Sequence, residues 1–488
     1  MRPDGTANQG QPSPPLTQFD ATSLVVGAVI GADIYVVASL GAGLLGPANL
    51  VAWVISGIIA GLIALSFAQC AAIVTRTGGS YAYAENAYGH LAGFLAGWTL
   101  YLAELVSIAV FPVAFARYLL FFVPGLAAWQ VLLAKAAFVA FLTLTNYVGT
   151  RTTGRVNDVL AVGKLGPLLL LIILGLIFVG VQSGTAAANL TPFVPLGWSG
   201  LGPALILTFW AYAGFELAVL PADEIANPGR TLPLAMAVGM AISTAFYLLV
   251  NATVTVAVPW PALAKSTAPL ALALEAILRA LSSPFFFIGG AVMALGALLS
   301  ISGADESAML GTSRLSYAMA ADGYFPRIFA RLHPKHRTPY VAVIFQGIVA
   351  LVASAFGSLT GLIRLSVFFL AFTYLATVLA EIRLIQRAPE RQFRFPGAGI
   401  MPLLALGGVL YLFSQTEALA LSVGAALTAA GVPIYYGFAP KNQLDQARRI
   451  LLSSEHEIAA IERALLVAPT RAIQVVGTAL AALSSRRH

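Results

Sequence analysis

Gly27-Ala28-Val29-Ile30-Gly31-Ala32-Asp33-Ile34-Tyr35 is the stretch on which the fold of this chain turns. It lies inside an apolar run, residues 19–45, that is long enough to cross a bilayer. Its glycines weaken a helix, and a carboxylate at mid-membrane is disfavoured by roughly 2.5–3.5 kcal/mol on insertion scales. A span that tolerates both reads as one broken at a site rather than as a plain anchor. The expectation is a discontinuous first helix whose freed backbone N–H and C=O groups face a substrate cavity.

The composition around this stretch sets its surroundings. Of 488 residues, 59% are hydrophobic and 10% charged, with a mean hydropathy of +0.86, which excludes an ordinary soluble globule. At about 20 apolar residues per crossing there is room for about a dozen spans in one continuous bundle. The 27 Lys and Arg against 20 Asp and Glu leave a net charge of +7, which in a membrane protein usually encodes orientation. A nucleic-acid partner does not fit, because no basic stretch interleaved with aromatics lies outside the apolar runs. Cys70, the single cysteine, excludes an intrachain disulfide and a cysteine-based metal cluster. Residues 1–18 are polar and Pro-rich, lack the basic region and short apolar run of a cleaved signal, and read as a disordered tail.

Twelve candidate spans follow, near residues 19–45, 49–74, 90–122, 130–149, 158–182, 201–220, 232–257, 285–311, 340–357, 361–386, 400–415 and 418–438. Turn signals such as Gly46-Pro47-Ala48-Asn49, Val123-Pro124-Gly125, Asn227-Pro228-Gly229 and Arg394-Phe395-Pro396-Gly397 separate them. With both termini inside, the internal loops carry Arg76, Arg151, Arg155, Arg230, Arg314, Arg327, Arg331, Lys335, Arg337, Arg383, Arg387, Arg391 and Arg394, against Lys265 and Arg279 outside. That asymmetry places both termini in the cytoplasm. The sixth span looks interrupted like the first, at Ala211-Tyr212-Ala213-Gly214-Phe215-Glu216. An offset of five spans makes the two run in opposite directions, as an inverted repeat of five plus five requires. The resulting expectation is an all-α integral membrane protein of twelve transmembrane helices. Its repeats cover about 19–182 and 201–386, two extra helices occupy 400–438, and a polar tail at 439–488 carries a cytosolic or membrane-surface helix.

Several motifs then resemble the amino acid–polyamine–organocation transporter superfamily over spans one to ten. Gly27-x-x-x-Gly31 followed by Ile34 is similar to the superfamily's unwound first-helix segment, with Asp33 where a second closely spaced glycine usually stands. Thr77-Gly78-Gly79-Ser80-Tyr81-Ala82-Tyr83 is similar to its Gly-Gly-x-Tyr segment. Phe209-Trp210-Ala211-Tyr212-Ala213-Gly214-Phe215-Glu216 matches its Phe-Ala-Tyr-x-Gly-Phe-Glu pattern, and Asp223-Glu224-Ile225-Ala226-Asn227-Pro228-Gly229-Arg230-Thr231-Leu232-Pro233 resembles the loop that follows it. Ser313-Arg314-Leu315-Ser316-Tyr317, Asp322-Gly323-Tyr324-Phe325-Pro326 and Thr338-Pro339-Tyr340-Val341-Ala342 complete the series. Each is weak alone; in order and at this spacing they are specific. The resemblance implies two inverted five-helix repeats, a substrate site between broken helices one and six, alternating access, and amino acids or amines as substrates.

The candidate site residues divide into two sets. For the substrate they are Gly27, Ile30, Gly31, Ala32 and Asp33 in the first break, and Phe209, Trp210, Ala211, Tyr212, Ala213, Gly214 and Phe215 in the second. Free N–H groups of the first break suit a carboxylate, and freed carbonyls of the second suit an ammonium. An ionised Asp33 would repel a substrate carboxylate, so it is protonated, turned away, capping the broken helix, or reading a substrate amine. Trp210 and Phe215 are candidates for a wall or gate, or are plain packing. For coupling, the candidates are Lys164, Glu216, Ser302 and Asp305. Glu216 can take up a proton, hold a cation, or be satisfied by a neighbouring helix. The resemblance implies that Lys164 stands where sodium-coupled relatives of the fold hold sodium; the alternative is a simple buried ion pair, and the expected contacts are first-span carbonyls and the eighth span at Ser300, Ser302 or Asp305.

Asp305 and Glu306 depart from the superfamily pattern, and adjacent helical positions cannot both face one partner. Glu104 adds another acid; Arg117 could satisfy one of these acids or snorkel towards the outer end of its span, and Lys135 and Arg364 read as snorkelling side chains. The acids outnumber Lys164 in the spans, which tilts the substrate towards cationic amino acids or amines. The reading is thus a proton-coupled, sodium-independent secondary transporter in the plasma membrane, with a polyamine or organic-amine permease or exchanger as alternative and a channel or sensor behind it. Its partners are the substrate, protons and the lipid bilayer. No enzyme, metal or cofactor is implied: His90, His333, His336, His456 and His488 fall in loops, span ends or the tail.

Overall fold

The structure, a computed structural model, describes residues 17–74, 78–148, 150–218, 225, 227–388 and 399–440, with the backbone alone for 150–164, 217, 218 and 228. Every regular element among the described residues is helical. The first span is two helices, α1 (Gln18–Val29) and α2 (Asp33–Leu45). Then come α3 (Asn49–Ile73), the short α4 (Ser80–Tyr88), α5 (His90–Phe122), α6 (Ala128–Val148), α7 (Thr150–Val181) and the short α8 (Ser183–Asn189). The stretch read as the sixth span is again divided, into α9 (Leu201–Trp210) and α10 (Phe215–Ala218). The chain continues through α11 (Pro228–Ala257), α12 (Trp260–Lys265), α13 (Pro269–Ala280), α14 (Phe286–Ala321), α15 (Tyr340–Phe356), α16 (Leu359–Arg387), α17 (Met401–Ser414) and α18 (Ala418–Phe438).

Local chemistry explains where these helices start and stop. A capping box opens α1: Thr17 Oγ1 accepts from the Asp20 N–H at 3.3 Å, and Asp20 Oδ2 accepts from the Thr17 N–H at 2.8 Å. Asn227 in the left-handed region (φ 48°) followed by Pro228 at the first helical position starts α11, four residues ahead of the apolar run at 232. Likewise α7 begins at Thr150 rather than 158, and α14 runs past 311 to Ala321. Hydropathy marks where a helix would meet lipid, whereas the backbone ladder continues until a breaker; in α14 that breaker is Gly323, at φ 87°.

Among the described residues, seven helical stretches are long and apolar enough to cross a membrane: Asp33–Ile73, His90–Phe122, Ala128–Val148, Gly229–Ala257, Phe286–Ala321, Leu359–Arg387 and Ala418–Phe438. Leu165–Val181 with Ser183–Asn189 is an eighth, bent by 107°, and Leu201–Trp210, Tyr340–Phe356 and Met401–Ser414 are shorter apolar helices. The tails read at the two ends, residues 1–16 and 441–488, lie outside the described residues, as do Arg76, Thr77, Asp223, Glu224 and the turn Arg394 to Gly397. Met1–Tyr435 forms one compact unit and Tyr436–His488 another, of which the described part, 436–440, includes the last residues of α18.

Within the first unit α3 packs on α11, α5 on α14 and α16, and α7 on α14. Small residues permit the close approach that apolar helices need in the absence of a hydrophobic drive between them. A Cβ at Gly175 of α7 would lie 2.2 Å from Thr253 Cγ2 of α11, and one at Gly296 of α14 would lie 2.7 Å from Pro167 Cγ of α7. Three long cations make polar contacts. Lys135 Nζ donates to Ser354 O at 2.6 Å, satisfying a last-turn carbonyl of α15; Arg117 donates to Ser266 O at 3.0 Å; Arg364 pairs with Glu417. Near the start of α5, His90 Nδ1 lies 2.6 Å from Glu85 Oε1 and 3.1 Å from the Tyr324 hydroxyl, whose burial pushes it up to about 12, so it stays a neutral phenol.

Gly175→Val forces overpacking against Thr253 and is expected to cost about 1–3 kcal/mol, seen as a lower thermal unfolding midpoint. Gly180→Val, where nothing lies within 4 Å of a Cβ, is expected to leave the midpoint unchanged.

Candidate functional site

The two helix breaks meet. α1 ends at Val29, Ile30 leaves the helix at φ −72° and ψ 93°, and α2 begins at Asp33 with no side-chain cap from Ala32. Opposite, residues 211–214 form a turn between α9 and α10, closed by i to i−3 bonds such as Ala213 N–H to Trp210 O at 3.1 Å. Gly214 adopts φ +116°, and a Cβ there would sit 2.5 Å from Ala28 O, so only glycine lets the second break lie against the first.

A single hydroxyl ties them together. Tyr247 of α11 is fully buried; its Oη lies 2.6 Å from Val29 O and 2.9 Å from Ala211 O, and the Gly31 N–H donates to it at 3.5 Å. Its one proton is shared between the two carbonyls, one from each break. The ring is held by Trp53 and Tyr212, each with centroids 5.2 Å away, and Tyr212 Oη donates to Trp53 O at 2.9 Å.

Beside the breaks lies a cavity of about 500 Å³. The first break contributes Gly27, Gly31 and Asp33 to its wall, α5 contributes Glu104, Ser107 and Phe111, the second break Trp210, Ala213, Gly214 and Glu216, and α14 Gly303, Ala304 and Ser307. Ser23, Leu24, Gly27 and Ala28 of α1 are exposed along it, whereas Tyr35 and Trp210 are buried. The cavity is therefore open beside α1 and shut beyond Trp210. Trp210 Nε1 donates to Ser107 Oγ at 3.2 Å, and its ring lies 5.9 Å from Phe111. Further along, Tyr118 Oη donates to Tyr35 O at 2.6 Å.

Of the residues read as substrate-binding, Gly27, Gly31, Asp33, Trp210, Ala213 and Gly214 line this cavity. Ile30, Ala32, Phe209, Ala211, Tyr212 and Phe215 are not among its lining residues. Ile30 and Ala32 are packed inward. Phe209 and Phe215 stand against Tyr374 (6.0 and 5.3 Å), and Phe215 also against Phe67 (5.7 Å). Tyr212 turns to Trp53, and the Ala211 carbonyl is occupied by Tyr247. The N-cap position of α2 is Ala32, so Asp33 is its first helical residue, where a carboxylate favours the positive end of the helix dipole.

Among the coupling candidates, Glu216 is buried in the wall. Its Oε2 accepts from the Gly214 N–H at 2.9 Å and from Tyr374 Oη at 3.0 Å, while Oε1 has no hydrogen-bond partner among the described residues. Ser302 donates to Leu298 O of its own helix at 2.7 Å. Asp305 is 1% exposed with neither oxygen hydrogen-bonded among the described residues, and Glu306 accepts from Thr145 Oγ1 at 2.8 Å; neither lines the cavity. The Lys164 side chain lies outside the described residues.

Sequence reasoning leaves out Ser107, Phe111 and Tyr247 altogether, and gives Glu104 no place in the site. Glu104, Ser107 and Phe111 fall at i, i+3 and i+7 of α5, a stripe that helical periodicity alone can find. Tyr247 carries no such signal, since a tyrosine in an apolar helix is ordinary packing until its hydroxyl is seen at both breaks.

A family model described as amino acid permease matches residues 16–438. A branched-chain amino acid permease of Bacillus subtilis is 29% identical over 419 residues, covering 81% of this chain and 87% of that one. A serine/threonine exchanger of the same organism is 28% identical over 439 residues (86% and 95%), and its methylthioribose transporter 26% identical over 455 (88% and 94%). These relatives are named as transporters with different cargoes.

Tyr247→Phe strips the donor from both carbonyls and is expected to cost about 1–3 kcal/mol, read as a lower unfolding midpoint. Gly214→Ala is expected to abolish ligand-induced stabilisation in the same assay, because its Cβ separates the two breaks.

Proposed function

We propose, from the premise that this chain belongs to the amino acid permease family and is a multi-pass membrane transport protein rather than an enzyme, that it moves amino acids or related amines across the plasma membrane as a secondary active, alternating-access carrier. The observation that carries this reading is the meeting of two helix breaks at one cavity that is open on one side and shut on the other. Irregular backbone at membrane depth is tolerated where it is buried in protein or lines such a cavity, and there it offers a charged substrate both donors and acceptors. The N-terminal end of α2 suits a carboxylate, and the carbonyls of the second break suit an ammonium. Trp210, held by Ser107 and Phe111, serves as the closed gate above them.

The finer architecture is twelve spans, α1–α2 and α9–α10 each counting as one, in two inverted five-helix repeats with α17 and α18 outside them. The surplus of arginine and lysine in the loops read as internal supports cytoplasmic termini, so the open side faces the cytoplasm. Transport is proton-coupled and independent of sodium. Glu216 and Asp305, each with carboxyl oxygens that lack a donor among the described residues, support proton-carrying roles, because a buried carboxylate without a donor is costly. Lys164 acts in place of sodium, with Ser302 as a further coupling residue. The acidic wall favours amines as a second substrate class, handled by the same site as permease or exchanger.

In proteoliposomes, counterflow of radiolabelled amino acid is expected to be saturable, driven by an inward proton gradient and unchanged when sodium is replaced by choline. Strict sodium dependence overturns the coupling assignment; diffusion without counterflow overturns the carrier reading. Glu216→Gln is expected to keep counterflow but to lose acceleration by the proton gradient.

A further inference from the structure

We propose that the connection between α14 and α15 docks an anionic phospholipid, its phosphate held by Arg327 and Arg331 and its acyl chain laid along the outer face of α15. The proposal goes beyond the transport reading and needs only that the chain spans a membrane. The connection begins with a 3-10 turn, Arg327–Ala330, and from Arg327 to Tyr340 it carries Arg327, Arg331, Lys335 and Arg337 with no Asp or Glu. All four cations are exposed, and none forms an ion pair among the described residues. Arg327 and Arg331 are four residues apart, about 8 Å at the rise of such a turn, a spacing at which two guanidinium groups can bracket one phosphate. The backbone that carries the charges is tied down. The buried Phe329 packs on Phe325 at 4.9 Å and on Phe345 of α15 at 5.4 Å. The His333 N–H donates to Thr338 O at 2.8 Å, His333 Nδ1 accepts from the Lys335 and His336 N–H groups at 3.2 and 3.1 Å, and Thr338 Oγ1 donates to Tyr147 O, in the last turn of α6, at 2.9 Å. Like charges held together on a fixed connection repel one another and are stabilised by an anion.

A second, independent observation says which anion. Ile344, Phe345, Ile348, Val352 and Phe356 make one exposed apolar face of α15. Phe345 of that face meets Phe329, and Ile328 and Leu332, 45% and 37% exposed, flank the two arginines in the chain. The apolar face of α15 therefore continues onto the connection and ends at unpaired positive charge. The connection also sits at the membrane boundary, because α15 is apolar from its first residues and Thr338 is bonded to the end of α6, itself long and apolar enough to span. A free phosphate uses the arginines and leaves the apolar face bare; a phospholipid uses both. A zwitterionic headgroup brings its own ammonium against four cations, and an anionic headgroup does not.

The test is lipid binding to the purified full chain in detergent, titrated by native mass spectrometry and by the thermal unfolding midpoint. The probes are palmitoyl-oleoyl phosphatidylglycerol, phosphatidylcholine with the same acyl chains, and inorganic phosphate. Phosphatidylglycerol is expected to stay bound and to raise the midpoint, and phosphatidylcholine to do neither. Combining Arg327→Gln with Arg331→Gln is expected to weaken phosphatidylglycerol binding about 25-fold, about 5-fold for each arginine at a membrane surface. Arg383→Gln, which removes an exposed arginine of α16 away from the connection, is expected to leave the affinity unchanged. An equal loss with Arg383→Gln makes the attraction diffuse and overturns the site. Equal retention of the two lipids, or an affinity that the double variant does not alter, overturns it as well. Stabilisation by inorganic phosphate that vanishes in the double variant, with no retained lipid, makes this a soluble-anion site and also overturns it. If the double variant is poorly folded, Arg327→Gln and Arg331→Gln decide singly: affinities within about twofold of the unaltered chain in both overturn the proposal. Lipid binding is read without transport, so a failure of counterflow leaves this site standing and a failure here leaves the carrier reading standing.

Discussion

A peptide group deprived of both water and a helical partner is costly, and two helices here are broken where neither comes cheaply. The Tyr247 hydroxyl answers that constraint by standing within reach of Val29 O and Ala211 O at once. Everything around it serves to hold it there. Trp53 and Tyr212 clamp its ring, Tyr212 is itself anchored to Trp53 O, and Gly214 removes the side chain that would hold α10 away from α1. Because α11 carries the tyrosine and packs on α3, the junction is anchored to two helices that are continuous. Relative motion of the breaks must therefore exchange or lose those hydrogen bonds, which gives the site a discrete rather than a graded geometry.

The same constraint governs the acids. Asp33, Glu104 and Glu216 come from three separate parts of the chain to one cavity, and Glu216 accepts there from the Gly214 N–H and from Tyr374 Oη. Tyr374 connects Glu216 to an aromatic cluster in which Phe67, Phe209 and Phe215 all pack against the Tyr374 ring. Phe215 is thus a strut rather than a cavity wall, and it links the position of Glu216 to the packing of α3 and α16. Trp210, at the other end of the same break, is the aromatic that faces the cavity. Two aromatics five residues apart in one motif have taken opposite jobs because the break turns the backbone between them.

The sequence by itself determined the helical class, the order of the helices and the place of both breaks. Those depend on apolar run length, on glycine and on local caps, which act over a few residues. It also showed the excess of intramembrane acids, since a charge in an apolar run is visible without knowing its neighbours. Only the tertiary structure decided which side chains face the cavity. Ile30, Tyr212 and Phe215 lie within the predicted motifs yet turn into packing, while Glu104, Ser107 and Phe111 come from a helix with no break at all. Direction at a broken helix is set by backbone angles such as those of Ile30 and Gly214, and by long-range partners such as Tyr247, which is 216 residues from Gly31. Contacts of that range leave no periodic trace in the chain, so they become legible only once the helices are packed.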